Sequence, residues 1–236
     1  MKNLIDKKII GILGGMGPAS TADFFTKLVK ITKARNDNEH ARVLIYNNPL
    51  IPDRTESILA GGDSPVPMLI DGIAALCNMG SQIIAIPCNT AHYYYHEIVN
   101  ASSVPVLNIL EETVSAVIRR GYKRAALLAT AGTYRSGIYQ KAFSNSIASI
   151  IMPDENDQKF FFNLAYKVKE KDNNYDKNSL IIRLNKLRNA GAECFVLGCT
   201  EIPMAFAYMG IDDDIIDSSL ELARAALLSA GYEVLI

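Results

Sequence analysis

The chain has 236 residues, of which 49% are hydrophobic and 21% charged, and this is long enough for one large or two small α/β domains with a sizeable core. Lysine and arginine number 24 against 25 aspartate and glutamate residues, for a net charge of −1. Such a balance excludes the basic field that attracts nucleic acid or an acidic membrane surface. We therefore expect a small-molecule partner, no nucleic acid and no membrane.

Short apolar runs rich in Ile, Val and Leu alternate along the chain with longer segments of helical period. The predicted strands are residues 9–13, 43–46, 83–86, 104–107, 125–129, 147–152, 194–197, 215–216 and 233–235. Helices are predicted from Pro18 onward and over 68–78, 92–99, 111–120, 158–171, 179–189 and 220–229. This alternation is typical of parallel sheets covered by helices on both faces.

The two halves of the chain contain similar strand-and-loop segments in the same order. Residues 9–17 resemble 125–133, and residues 83–90 resemble 194–201. We predict two pseudo-symmetric, three-layer α/β domains, with residues 1–108 plus 213–236 in the first and 109–212 in the second. Because ligands bind beyond the carboxyl ends of parallel strands, the active-site cleft is expected between the domains.

The four cysteines contain no C-x-x-C pair, which favours free thiols and a cytoplasmic location. Cys77 and Cys194 lie in apolar segments and are predicted to belong to the core. Cys88 and Cys199 each follow a predicted buried strand and precede a helix, where unpaired N–H groups favour a thiolate. One thiolate and one thiol could remove and return the α-proton of an amino acid from opposite faces, with Thr90, Thr133 and Thr200 as donors to its carboxylate.

Two other interpretations of these segments remain open from the residues alone. Cys88, His92 and His96 are spaced four apart and, with Glu201, would suit a metal-dependent hydrolase. A glycine-rich loop at residues 14–17 follows a strand, but Ser20 stands where a dinucleotide loop needs its third glycine. We predict no metal and no cofactor.

Three motifs together resemble the aspartate/glutamate racemase family: I-G-I-L-G-G-M-G-P, P-C-N-T-A-H and L-G-C-T-E. The resemblance spans nearly the whole chain. It implies two similar α/β domains, a pyridoxal-free two-base mechanism with Cys88 and Cys199 as the bases, and a homodimer. In relatives an arginine and a lysine bind the substrate side-chain carboxylate, and these match Arg54 and either Lys169 or Lys167, with Lys169 suiting the spacing better. The predicted substrate-binding residues are Met16, Arg54, Asn89, Thr90, Thr130, Thr133, Lys169, Thr200 and Glu201.

The motifs also bear on the substrate. Glutamate racemases carry an N-terminal D-S-G-x-G-G segment and a late G-C-T-H, whereas this chain has Leu13 to Gly17 and Glu201 at those places. The resemblance therefore favours aspartate, then glutamate. The alternatives are another two-cysteine enzyme of the superfamily, such as a hydantoin racemase or a maleate isomerase, or a protein that binds an acidic amino acid without turning it over.

Overall fold

The computed structural model describes residues 6–212 and 214–235. The first sheet has three parallel strands, β1 (Ile10–Gly14), β2 (Val43–Asn47) and β3 (Ile83–Ala85), in the order β2-β1-β3. The central strand β1 is buried along its whole length, which explains its unbroken apolar sequence. The loops that follow β1 and β3 therefore leave the same edge of the sheet side by side.

The second sheet has four parallel strands, β4 (Arg124–Leu128), β5 (Ser149–Ile151), β6 (Cys194–Leu197) and β7 (Ile215–Asp217), in the order β5-β4-β6-β7. Its first three strands repeat the order of the first sheet. The predicted pair of similar parallel α/β units is therefore confirmed. In both sheets the strand order reverses beside the first strand, which is where open α/β sheets form their ligand crevices.

Helices connect the strands, and the cap residues fix where several of them begin. Asp53, Asn108, Asp154, Asp176 and Asp217 each accept a backbone N–H bond from the first turn of the helix that follows. The α-helices in the described residues are α1 (Pro18–Ile31), α2 (Arg54–Ala60), α3 (Val66–Asn78), α4 (Tyr95–Asn100), α5 (Ile109–Arg119), α6 (Ala131–Ser136), α7 (Ile138–Ser144), α8 (Glu155–Lys169), α9 (Lys177–Asn189), α10 (Ile202–Met209) and α11 (Ser218–Ser229). Among them, none is long and apolar enough to cross a membrane.

One apolar core joins the two units. It contains Ile10 and Ile12 of the first sheet, Leu127 and Val196 of the second, and the inner faces of α5 and α11. Helix α11 packs against α1, α5 and β3. The two sheets are thus held on a shared layer of helices, which keeps the loops at their carboxyl edges in fixed relative positions.

The structure corrects two details of the sequence prediction. Residues 104–107 form only a bridge from Val106 to Ile84, because Pro105 has no N–H with which to extend the ladder. Residues 233–235 contribute one antiparallel bridge, from Val234 to the end of α1. Strand β7 pairs with β6 as the last strand of the second sheet. The domain boundaries stay a prediction.

Candidate active site

A cavity lies between the two units at the carboxyl edges of their sheets. It is lined by Met16, Asp53, Arg54, Thr55, Cys88, Asn89, Thr90, Thr130, Lys169, Cys199, Thr200 and Glu201. The inner cavity measures about 20 Å³, room for one or two water molecules, so we expect side chains to move when a larger ligand enters. An open cleft of about 570 Å³ forms its mouth and shares with it Met16, Asp53, Arg54, Lys169 and Glu201.

The glycine-rich loop after β1 brings backbone to this cavity. Gly15 has φ of +102°, and a Cβ there would lie 2.2 Å from the Asn48 carbonyl oxygen. Its N–H donates to Thr21 Oγ1 of α1 at 2.9 Å. Only glycine fits this turn, and the turn carries Met16 into the cavity wall.

Cys88 lies just beyond β3, and His92 fixes its loop. The ring Nε2 of His92 accepts the Ile109 N–H at 3.2 Å, which leaves Nδ1–H to donate to the Cys88 carbonyl oxygen at 2.9 Å. Burial lowers the pKa of His92, against the opposing effect of the neighbouring Cys88 and Leu107 carbonyl oxygens. The ring is therefore neutral, and it ties the Cys88 loop to the start of α5.

The two cysteine loops are joined by a short chain of hydrogen bonds. Asn89, next to Cys88, donates through Nδ2 to Ser218 Oγ at 3.0 Å, and Ser218 Oγ donates to the Leu197 carbonyl oxygen at 2.7 Å. Leu197 ends β6, two residues before Cys199. The other end of the Asn89 amide, Oδ1, accepts the Tyr139 hydroxyl at 2.6 Å. Asn89 lines the cavity and also links the two units through its side-chain amide, and its role in substrate binding stays a prediction.

We predict that Ser218→Ala destabilises the protein, because it leaves the buried Asn89 amide and the Leu197 carbonyl oxygen without this partner. The expected fall in the free energy of unfolding is about 1–3 kcal/mol, measured by urea denaturation. Ser229→Ala, at the exposed end of the same helix, is the matched control and should change stability by less than about 0.5 kcal/mol. Equal effects of the two substitutions would show that the hydrogen-bond chain contributes nothing.

Cys199 lies in the loop after β6, beside an acidic partner. Its Sγ donates to Glu201 Oε2 at 3.0 Å, and both side chains are buried. Burial first, and then the charge of Glu201, raise the pKa of Cys199 well above its ordinary value, while Lys169 opposes the shift. The geometry therefore keeps the proton on this thiol.

Cys88 has a cationic neighbour instead. Arg54, the first residue of α2, is only 7% exposed. Its guanidinium donates to the carbonyl oxygens of Ile51 at 3.3 Å, Pro52 at 2.9 Å and Met16 at 3.3 Å, while Nε has no partner among the described residues. Burial alone would lower the pKa of Arg54, but the charges of Cys88 and Asp53 raise it overall. The arginine is a fixed positive charge beside Cys88.

The structure distinguishes between the two candidate lysines. Lys169, the last residue of α8, lines the cavity, and its Nζ lies 4.4 Å from the centre of the Tyr166 ring. Burial would lower the pKa of Lys169, but the charges of Glu201 and Cys199 raise it overall. Lys167 instead donates to the Asn174 carbonyl oxygen at 2.5 Å and faces Asp172 at 3.6 Å, away from the cavity.

The predicted threonines lie together at the junction of the two units. Thr90 Oγ1 lies 2.9 Å from Thr133 Oγ1 and 3.4 Å from Thr130 Oγ1. Thr90 and Thr130 line the cavity, whereas Thr133 is not among its lining residues and supports them from behind. Thr200 also lines it and donates to Glu201 Oε2 at 3.3 Å.

The residues proposed for a metal site do not come together in the way that hypothesis requires. Both ring nitrogens of His92 are engaged by backbone groups, and His96 is exposed, with Nε2 at 3.0 Å from Asn100 Nδ2.

Cys77 is partly buried against the core and Cys194 is fully buried in β6, and all four thiols are free.

Sequence reasoning missed two residues of the cavity wall, Asp53 and Thr55. Asp53 Oδ1 accepts N–H bonds from Thr55 at 2.7 Å and Glu56 at 3.0 Å and so begins α2. A Cβ on Gly132 of α6 would lie 2.7 Å from Thr55 Oγ1, which shows how closely the two units meet here. An acidic residue three positions before a glutamate is a capping signal, and it marks the start of this helix in the sequence.

Two linked α/β units each bring one cysteine loop to a common cavity, an arrangement that suits an enzyme acting on a small molecule. The pattern of the Asp/Glu/Hydantoin racemase family matches residues 13–226. The chain is 33% identical, over 93% of its length and 96% of the relative, to the broad specificity amino-acid racemase RacX of Bacillus subtilis. It is similar to the structure of Picrophilus torridus aspartate racemase, with 34% identity, a TM-score of 0.86, and 97% and 96% of the two chains covered.

The chain belongs to the Asp/Glu/Hydantoin racemase family, and it is an amino-acid racemase. A more distant structure, glutamate racemase from Francisella tularensis, shares the fold with a TM-score of 0.64 at 16% identity, covering 93% of this chain and 79% of that one. The family predicted from the three motifs is thus confirmed.

Proposed function

We propose that this protein interconverts L- and D-aspartate, and more slowly glutamate, without a cofactor. The observation that carries the proposal is the placement of Cys88 and Cys199 on corresponding loops of the two units, lining one cavity with Arg54 and Lys169. The relatives named above, an aspartate racemase and a broad specificity amino-acid racemase, support the substrate class.

The surroundings of the two thiols differ, and they suggest how the reaction begins. Arg54 places a positive charge beside Cys88. Cys199 holds its proton because it is buried and donates to Glu201. In the proposed mechanism Cys88 therefore removes the α-proton of one enantiomer, and Cys199 delivers a proton to the opposite face of the carbanion.

The carbanion needs electrostatic support while it exists. In the proposed site the substrate carboxylates lie near the Arg54 guanidinium and the Lys169 ammonium, and the Thr90 and Thr130 hydroxyls donate to the carboxylate on which charge accumulates. After one turnover Cys88 carries the proton and Cys199 is the thiolate, a form that the charge of Lys169 favours. The reverse reaction, which starts from the other enantiomer, then exchanges the roles of the two sulfurs.

The proposal is tested by incubating the reduced protein in D₂O with L-aspartate or L-glutamate. Proton NMR follows deuteration at Cα, and chiral chromatography follows the D-isomer. We expect exchange and inversion together, faster with aspartate, and unchanged by a chelator. Absence of exchange with both amino acids would refute the proposal, and affinity without exchange would indicate a binding protein. If a hydantoin is deuterated at its chiral carbon and the two amino acids are not, the substrate is a hydantoin, the other class in the family description.

The homodimer implied by the resemblance and a cytoplasmic location stay predictions. Analytical ultracentrifugation of the purified chain tests the first.

A further inference from the structure

Glu201 has one carboxylate oxygen that the protein does not use. The side chain is only 3% exposed and lines both the inner cavity and its mouth. Oε2 accepts the Cys199 thiol at 3.0 Å and the Thr200 hydroxyl at 3.3 Å. Oε1 is buried and has no hydrogen-bond partner among the described residues. A buried carboxylate oxygen without a donor is costly, and this one lies at a ligand cavity.

Neither cation of the cavity satisfies that oxygen. Arg54 donates to three backbone carbonyls, and Lys169 Nζ lies over the Tyr166 ring. Within the described residues Glu201 forms no ion pair at 4.0 Å or less with either of them. Asp53 is the other acidic residue of the cavity wall, and its Oδ1 caps α2 by accepting backbone N–H bonds. A donor to Oε1 therefore has to come from the contents of the cavity, either water or a bound ligand.

We propose that Oε1 of Glu201 receives the α-ammonium group of the substrate. This inference rests on the proposed function, which makes the ligand an amino acid. An ammonium offers three N–H donors, and its contact with a buried carboxylate is charge-assisted. The wall of Arg54, Lys169, Asp53 and Glu201 carries two charges of each sign. Such a wall suits a zwitterion better than a plain dicarboxylate, whose anionic groups would meet Glu201 without a compensating cation.

The contact also positions the reacting carbon. Because Oε2 of the same carboxylate holds the Cys199 thiol, an amino nitrogen on Oε1 lies on the Cys199 side of the cavity, one bond from Cα. Glu201 would then fix the substrate relative to the proton donor. It acts as a binding and positioning residue, and the two cysteines transfer the protons.

The test compares a ligand that has the ammonium with one that lacks it. L-aspartate is the substrate, and succinate, which has the same two carboxylates and no amino group, is the competitive inhibitor. In Glu201→Gln the carbonyl oxygen can still accept the Cys199 thiol, but an NH₂ group faces the ammonium. We expect KM for L-aspartate to rise at least about tenfold, as for loss of a charge-assisted hydrogen bond, while the inhibition constant of succinate stays the same or falls.

Two further variants complete the experiment. Glu155→Gln, an exposed carboxylate in the first turn of α8, is the matched control and should leave both constants unchanged. Glu201→Asp keeps the charge and should recover part of the affinity for L-aspartate. Thermal unfolding and circular dichroism verify that each variant is folded, and calorimetry measures ligand binding directly, independently of turnover.

Equal weakening of aspartate and succinate in Glu201→Gln would overturn the inference, as would a lower kcat at unchanged KM. These outcomes differ from failure of the proposed function, in which the wild-type protein would not exchange the α-proton at all. In that case the calorimetric comparison of aspartate with succinate still tests the ammonium contact.

Discussion

Replacement of either Cys88 or Cys199 by serine is expected to abolish formation of D-aspartate from L-aspartate, with kcat/KM falling by at least about 10³-fold. Serine keeps the size of the side chain, but its hydroxyl ionises far too weakly to take or hold the proton near neutral pH. Because L- and D-aspartate have equal free energy in solution, kcat/KM must fall by the same factor in both directions. The measurement is circular dichroism of the amino acid, started from each enantiomer in turn.

The single-cysteine variants also separate a two-base from a one-base mechanism. With one base left, any α-deuterium that enters must do so on the face from which the proton was taken. We therefore expect residual exchange in D₂O only with retention, for one enantiomer in Cys88→Ser and for the other in Cys199→Ser. Cys77→Ser, a partly buried thiol outside the cavity, is the matched control. Inversion in either active-site variant would contradict two-base transfer.

The second large effect is expected from Arg54→Lys, with kcat/KM for aspartate falling by at least about 10²-fold, equivalent to roughly 2.7 kcal/mol. Lysine keeps the charge, but it cannot reproduce the planar contacts with the carbonyl oxygens of Ile51, Pro52 and Met16. The positive charge beside Cys88 is then no longer held in place. Steady-state kinetics with both enantiomers measures the loss, after circular dichroism has confirmed that the variant is folded.

Arg135→Lys is the control for this substitution, because Arg135 is exposed on α6 and is not among the residues lining the inner cavity. It should leave kcat/KM within about twofold of the wild type. If Arg54→Lys retained more than a third of the wild-type value, the fixed guanidinium would be unnecessary and the lysine charge would suffice.

The sequence predicted the positions of the two cysteines because each follows an apolar strand, and buried parallel strands are among the clearest local signals. It did not predict α2, α6, α7 or α10, which are six to eight residues long. A helix of two turns is too short for its apolar period to stand out. Some of their boundaries nevertheless carry a sequence signal. Asp53 precedes α2, Pro203 lies in the first turn of α10, and Gly210 follows the last residue of α10.

Other features could not be found from local pattern. The bond from Asn89 to Ser218 joins residues 129 positions apart, and nothing near either residue indicates it. The sequence motif places Asn89 at the site, and the structure adds this link between the two units. The contrasting partners of the two thiols depend on the same kind of long-range contact, since Arg54 reaches Cys88 only when α2 packs below the loop after β3.

The hydrogen-bond chain through Asn89, Ser218 and Leu197 has a consequence for substrate range. It ties the Cys88 loop to the end of the strand before Cys199, so the two cysteine loops are linked through the protein itself. What the spacing of these loops must match is the tetrahedral α-carbon, which every chiral amino acid shares. In the proposed site Arg54 and Lys169, at the ends of α2 and α8, contact the substrate side chain. Reshaping this part of the cavity wall would therefore change which side chain is accepted while leaving the proton-transfer geometry intact.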